Sequence, residues 1–126
     1  MHLYRVVLPV SDIERATEFY SALLGAHGTR VSPGQHSFDC GGTILTVRDP
    51  HADGVRGGHG PNQQDIYFAV DDLEHMHGHA FYVPGGVVDP AIGTLDSGER
   101  CFQVRDPFGN PLCFVDRATV FTQADS

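Results

Sequence analysis

"RVVLPVSDIE" at residues 5–14 aligns without a gap on "DIYFAVDDLE" at residues 65–74, and this repeat decides the fold. Each copy is a short β-branched or aromatic run, then an Asp, an aliphatic residue and a Glu. Val6, Leu8 and Val10 alternate onto one face of the first run, and Ile66, Phe68 and Val70 onto the equivalent face of the second. Apolar residues at period two mark a strand covered on one side. Asp12 and Asp72 follow the runs and suit helix N-caps, because a carboxylate accepts the free N–H groups that open a helix.

After Asp12, the residues Ile13, Ala16, Phe19, Tyr20 and Leu23 recur at helical spacing, and Gly25 is placed to end that helix. The second copy, "LEHMHGHAFYVPGG", predicts a weaker helix, interrupted by Gly78 and closed by Pro84. "HSFDCGG", "TILTV", "GVVDP", "RCFQV" and "PLCFV" read as short strands between Gly, Pro, Asp and Asn turns, and "VRDP" occurs at both 47–50 and 104–107. Each half is therefore strand, helix, then about three strands. Two such modules, each with an apolar face, pack as one duplicated α+β domain. The domain spans 1–126, with a first module at 3–53, a glycine-rich linker "GVRGGHGPN" at 54–62, a second module at 63–117 and a tail at 118–126. The linker lacks the Gly-Lys-Ser/Thr ending of a phosphate-binding loop, so no nucleotide site is read there.

Composition narrows the function classes. A chain of 126 residues with 40% hydrophobic content holds one core. Eight Lys and Arg against sixteen Asp and Glu give a net charge of −8, which disfavours nucleic acid as a partner. Cys40, Cys101 and Cys113 are odd in number and form no CxxC pair, the pattern of reduced thiols in a cytoplasmic protein. No apolar run reaches the roughly 18 residues of a membrane helix, and "MHLYRVVLPVSD" lacks the features of a signal peptide.

"VVLPVSDIERATEFYSALLG", "IYFAVDDLE" and the closing "RDPFGNPLCFVD" together resemble the vicinal oxygen chelate superfamily, over roughly residues 3 to 117. That superfamily includes glyoxalase I, bleomycin-resistance proteins, fosfomycin-resistance enzymes and extradiol dioxygenases. The resemblance implies paired βαβββ modules whose curved mixed sheet encloses a cavity, in a homodimer. It also implies a divalent metal held by one residue on each of four strands. Carried over, those positions fall on Arg5, Leu45, Asp65 and Cys113. Arginine offers no lone pair and leucine no donor, so a usual metal site is not expected.

Alternation then assigns a ligand pocket on the face away from the helices. Its expected members are Arg5, Val7, Leu45, Val47, Asp65, Tyr67, Cys101, Gln103, Cys113 and Val115. Arg5 and Asp65, equivalent in the repeat, are expected to pair in place of the metal. Cys113 reads as a small hydrophobe lining the pocket rather than a nucleophile. His75 and His79 read as a solvated helix face, while His51 and His59 lie in or beside the linker, where loops can cover a pocket. The expected function is a cofactor-free, small-molecule-binding homodimer without catalytic residues. The alternatives are a metal-dependent lyase, isomerase or dioxygenase with an altered site, and an interaction module whose pocket is vestigial.

Overall fold

The two repeats build two sheets, each carrying one helix. The computed structural model describes residues 1–58 and 60–121; His59 and the end of the expected tail, from residue 122, lie outside the described residues. The first half comprises β1 (Arg5–Pro9), α1 (Ile13–Leu24), β2 (Thr29–Ser32), β3 (Gln35–Cys40) and β4 (Thr43–Arg48), in sheet order β1-β4-β3-β2. The second comprises β5 (Ile66–Val70), α2 (Leu73–Phe81), β6 (Val87–Val88), β7 (Gly93–Thr94), β8 (Arg100–Arg105) and β9 (Pro111–Asp116). Its order is β5-β9-β8-β6, with β7 also paired to β8. The duplication is visible in the pairing: each half returns its last strand parallel to its first, β4 to β1 and β9 to β5.

The caps follow the side-chain chemistry. Asp12 accepts from the backbone N–H of Arg15 at 3.1 Å, and Asp72 from that of His75 at 3.0 Å. Gly25 ends α1 at φ +66°, a left-handed conformation that costs a residue with a Cβ. The second helix runs on through Gly78 to Phe81. Leu73 and Ala80 are buried and Met76 packs against the core, and this burial outweighs the roughly 1 kcal/mol that a mid-helix glycine costs. The short strands β2 and β7 carry too few residues for periodicity to reveal them.

One apolar cluster draws on both halves, with Leu8, Tyr20, Phe38, Leu73, Phe102 and Phe114 among its members. Phe114 stacks between Phe68 and Phe102, with ring centroids 5.1 Å and 5.4 Å away. A buried polar knot ties the halves. Tyr20 Oη donates to Asp106 Oδ2 at 2.7 Å, and Asn110 Nδ2 donates to the Pro9 carbonyl at 2.7 Å and to Asp106 Oδ2 at 2.8 Å. No helix of the described residues is long and apolar enough to cross a membrane.

Candidate functional site

Register fixes which side chains share a face. In the first sheet Arg5 stands opposite Ile44, Val7 opposite Thr46 and Pro9 opposite Arg48, while β3 adds Gln35, Ser37 and Asp39 alongside Arg48, Thr46 and Ile44. These residues point away from α1. In the second sheet Tyr67 stands beside Cys113, which faces Gln103, and Cys101 faces Val115. Cys113 and Val115 are buried yet stand apart from the apolar cluster that takes their neighbours Leu112 and Phe114, as expected of the opposite face.

Leu45 and Val47 do not belong to that face. Both are buried in the core, opposite Val6 and Leu8 in the parallel register. Strand β4 therefore turns Leu45 and Val47 toward α1, and Ile44, Thr46 and Arg48 outward. The signal was present in "TILTVR", where Leu45 and Val47 alternate with the polar Thr46 and Arg48.

The expected Arg5–Asp65 pair does not form within the chain. The exposed Arg5 guanidinium lies over the Tyr4 ring, 5.7 Å from its centroid, and the Asp65 carboxylate accepts from Gln103 Nε2 at 2.8 Å. The physical reason is the sheet edge. Among the described residues β1 bonds only to β4 and β5 only to β9, so Arg5 opens a strand of one sheet while Asp65 immediately precedes a strand of the other. The ion pairs of the described residues join Arg30 to Glu14, Arg100 to Glu74 and Asp116, and Arg117 to Asp71.

A four-strand divalent metal site does not fit these residues. Its positions now hold Arg5, the outward β4 residues Ile44 and Thr46, Asp65 and Cys113. A guanidinium, an alkyl group or hydroxyl, one carboxylate and one thiol make no cage, whichever copy of the chain supplies them. Among the described residues no three His, Cys, Asp or Glu side chains converge as metal donors.

The outer face of the first sheet instead carries an open cleft of about 580 Å³, lined by Arg5, Thr29, Val31, Ser37, Asp39 and Ile44. Ser37 and Thr46 hydroxyls share a hydrogen bond of 2.8 Å on this face. Beyond them lies Arg48. Its Nε is buried and has no hydrogen-bond partner, alone in this respect among the buried side-chain nitrogens and oxygens of the described residues. A buried guanidinium N–H without an acceptor costs about 1–3 kcal/mol. A larger cavity of about 630 Å³ lies along the free edge of β5, lined by Val6, Leu24, Cys40, Phe68, Met76 and, from the expected set, Leu45 and Tyr67.

Burial, with the Cys101 thiol next to it, pushes Cys113 up to about 12. At neutral pH it is a thiol and not a thiolate nucleophile. A folded-state pKa raised in this way adds stability that is complete below the unfolded value and is lost as pH rises through the folded one. The fall in stability between about pH 9 and 12 is therefore expected to be shallower in Cys113→Ala, a comparison that urea unfolding at stepped pH makes directly.

Two βαβββ halves, the second with one extra short strand, around outward faces of mixed polarity define a duplicated module. The chain belongs to the Glyoxalase/Bleomycin resistance protein/Dioxygenase superfamily, whose family model matches residues 2–114. No curated protein matches it. Solved structures share the fold at low identity. A glyoxalase-related enzyme from Fulvimarina pelagi is 17% identical with a TM-score of 0.76, covering 99% of this chain and 94% of its own. A lactoylglutathione lyase from Agrobacterium tumefaciens is 20% identical with a TM-score of 0.75, over 97% and 98%. TioX from Micromonospora sp. ML1 is 20% identical with a TM-score of 0.69, over 93% and 99%.

Proposed function

We propose that this chain is a small-molecule-binding member of the superfamily that holds a carboxylate-bearing organic ligand without a divalent metal or other cofactor. The observation that carries the reading is Arg48. Arg48 is half-buried, and its buried Nε–H without an acceptor lowers stability unless an anion completes it; no carboxylate of the described residues pairs with the guanidinium. Arg5, in no ion pair among the described residues, supplies a second cation on the same face. The half-buried Ser37 hydroxyl, bonded to that of the fully buried Thr46, lies between them, and Val7, Val31 and Ile44 offer apolar surface beside it. One charged anchor with hydroxyls and an apolar wall suits an organic acid.

The working unit of this proposal is a cytoplasmic homodimer. The unpaired edges of β1 and β5 invite a second copy, since an open edge offers unbonded N–H and C=O groups. Free thiols in all three cysteines suit a reducing compartment.

Arg48→Met tests the anchor by opposite signs. Methionine keeps the apolar stem and removes the orphaned donor. The apo variant is therefore expected to gain about 1–2 kcal/mol, or several degrees in Tm. A thermal-shift panel of aliphatic and aromatic carboxylates, run in excess chelator, is expected to stabilise the wild type and leave Arg48→Met unmoved. A variant that melts lower, or still answers the same acid, contradicts the assignment. Stabilisation that appears only when a divalent ion is returned favours the metal-dependent enzyme instead.

A further inference from the structure

The second sheet carries a different chemistry on its outer face, independent of Arg48. Cys101 on β8 stands opposite Val115, and Cys113 on β9 opposite Gln103, so the two cysteines sit on one face at diagonal positions of adjacent strands. Cys113 is 4% exposed, and Cys101 is partly exposed at its side. Of the polar groups nearby, the Gln103 amide donates to Asp65, and the exposed Tyr67 stands beside Cys113. The two sulfurs are the soft donors of this face.

Diagonal neighbours in an antiparallel pair lie about 7–8 Å apart at their Cα atoms, beyond the usual span of a disulfide. A direct S–S bond would therefore pull the strands together. A single bridging atom adds a second bond length and reaches both sulfurs with the strands in place. Two donors are too few for the four-coordinate zinc of structural sites. They suffice for a thiophilic centre that two sulfurs complete.

We propose that Cys101 and Cys113 form a dithiol site for a trivalent organoarsenical or an equivalent two-sulfur-demanding soft centre. The step balances with an arsenoso group. Two S–H groups and R–As=O give R–As with two As–S bonds, and the oxygen leaves as water with both thiol protons. No electron is transferred and no oxidant is needed. Cys101, the accessible thiol, attaches first, and Cys113 closes the ring from beneath.

Phenylarsine oxide, titrated against the whole chain in excess glutathione, tests the site by intact mass and thermal shift. The wild type and Cys40→Ser are expected to carry one phenylarsenic group each, retained against the monothiol and removed by 2,3-dimercaptopropanol. Cys101→Ser and Cys113→Ser are expected to bind about two to four orders of magnitude more weakly, because the second sulfur no longer acts at high effective concentration. Cys113→Ala repeats the test without a buried hydroxyl, and the Tm of each apo variant establishes that it is folded. An adduct that survives in either folded single variant, or that glutathione strips from the wild type, overturns the proposal, as does a wild type that takes none. A failure here leaves the Arg48 reading untouched, since the two sites lie on different sheets.

Discussion

Asp106→Ala is expected to lower stability by about 3–5 kcal/mol, a large share of the roughly 5–15 kcal/mol that a domain of this kind possesses. Asp106 is 4% exposed. Its Oδ1 accepts from the backbone N–H groups of Phe108 at 2.9 Å and Asn110 at 2.8 Å, and its Oδ2 from Tyr20 Oη at 2.7 Å and Asn110 Nδ2 at 2.8 Å. Removing the carboxylate takes the acceptor from three buried donors and from the half-buried Phe108 N–H at once. The same residues couple the halves, because Tyr20 belongs to α1 and Asn110 reaches back to Pro9 on β1. Denaturant unfolding should show both a lower midpoint and a weaker coupling between modules, seen as probe-dependent transitions. Tyr20→Phe removes one donor and should cost about 1.5–3 kcal/mol. Burial and the neighbouring carboxylate both push the Tyr20 phenol up, so its proton stays in place across the working pH range. An Asp106→Ala protein that unfolds like the wild type would refute the role given to this knot.

Gly34→Ala is the second large effect, expected at about 2–4 kcal/mol from a single methyl group. Gly34 forms the turn between β2 and β3. A Cβ there would overlap the Asp49 carbonyl and meet Asp53 Oδ2 at 2.8 Å. Relieving that overlap breaks two bonds: Asp49 N–H to the Gly34 carbonyl at 2.8 Å, and Gly34 N–H to Asp53 Oδ1 at 2.9 Å. Asp53 also accepts from Ser32 Oγ at 2.9 Å, so the turn and the 3-10 segment Pro50–Asp53 loosen together. Gly41→Ala is the control. It sits at φ +69° with open space around it, and so incurs only backbone strain of about 1–2 kcal/mol. Thermal melts of the two variants separate collision from strain. Equal losses would contradict the packing around Gly34.

The sequence made the duplication legible because its evidence is local. Asp12, Asp72 and Gly25 act through the residues beside them, and alternation along β1, β5, β8 and β9 needs no partner. The core orientation of Leu45 and Val47 depends on β4 lying parallel to β1, a relation between residues far apart in the chain. Arg5 and Asp65 are equivalent by repeat yet stand at the starts of strands in separate sheets, and equivalence in sequence does not bring two edges together. Arg48 is not legible in the sequence for a related reason: an orphaned nitrogen is defined by its missing partner, which only three dimensions reveal. The dithiol needed the register that sets β8 against β9.

The most direct test of metal-free anion binding follows the Arg48 Nε–H resonance in a 15N–1H spectrum. The protein is held in excess chelator while the most stabilising carboxylate of the panel is added. This resonance is expected to shift progressively, and its solvent exchange to slow, as the orphaned donor finds an acceptor. A resonance that stays fixed while the ligand binds, or moves only after a divalent ion is restored, would contradict it.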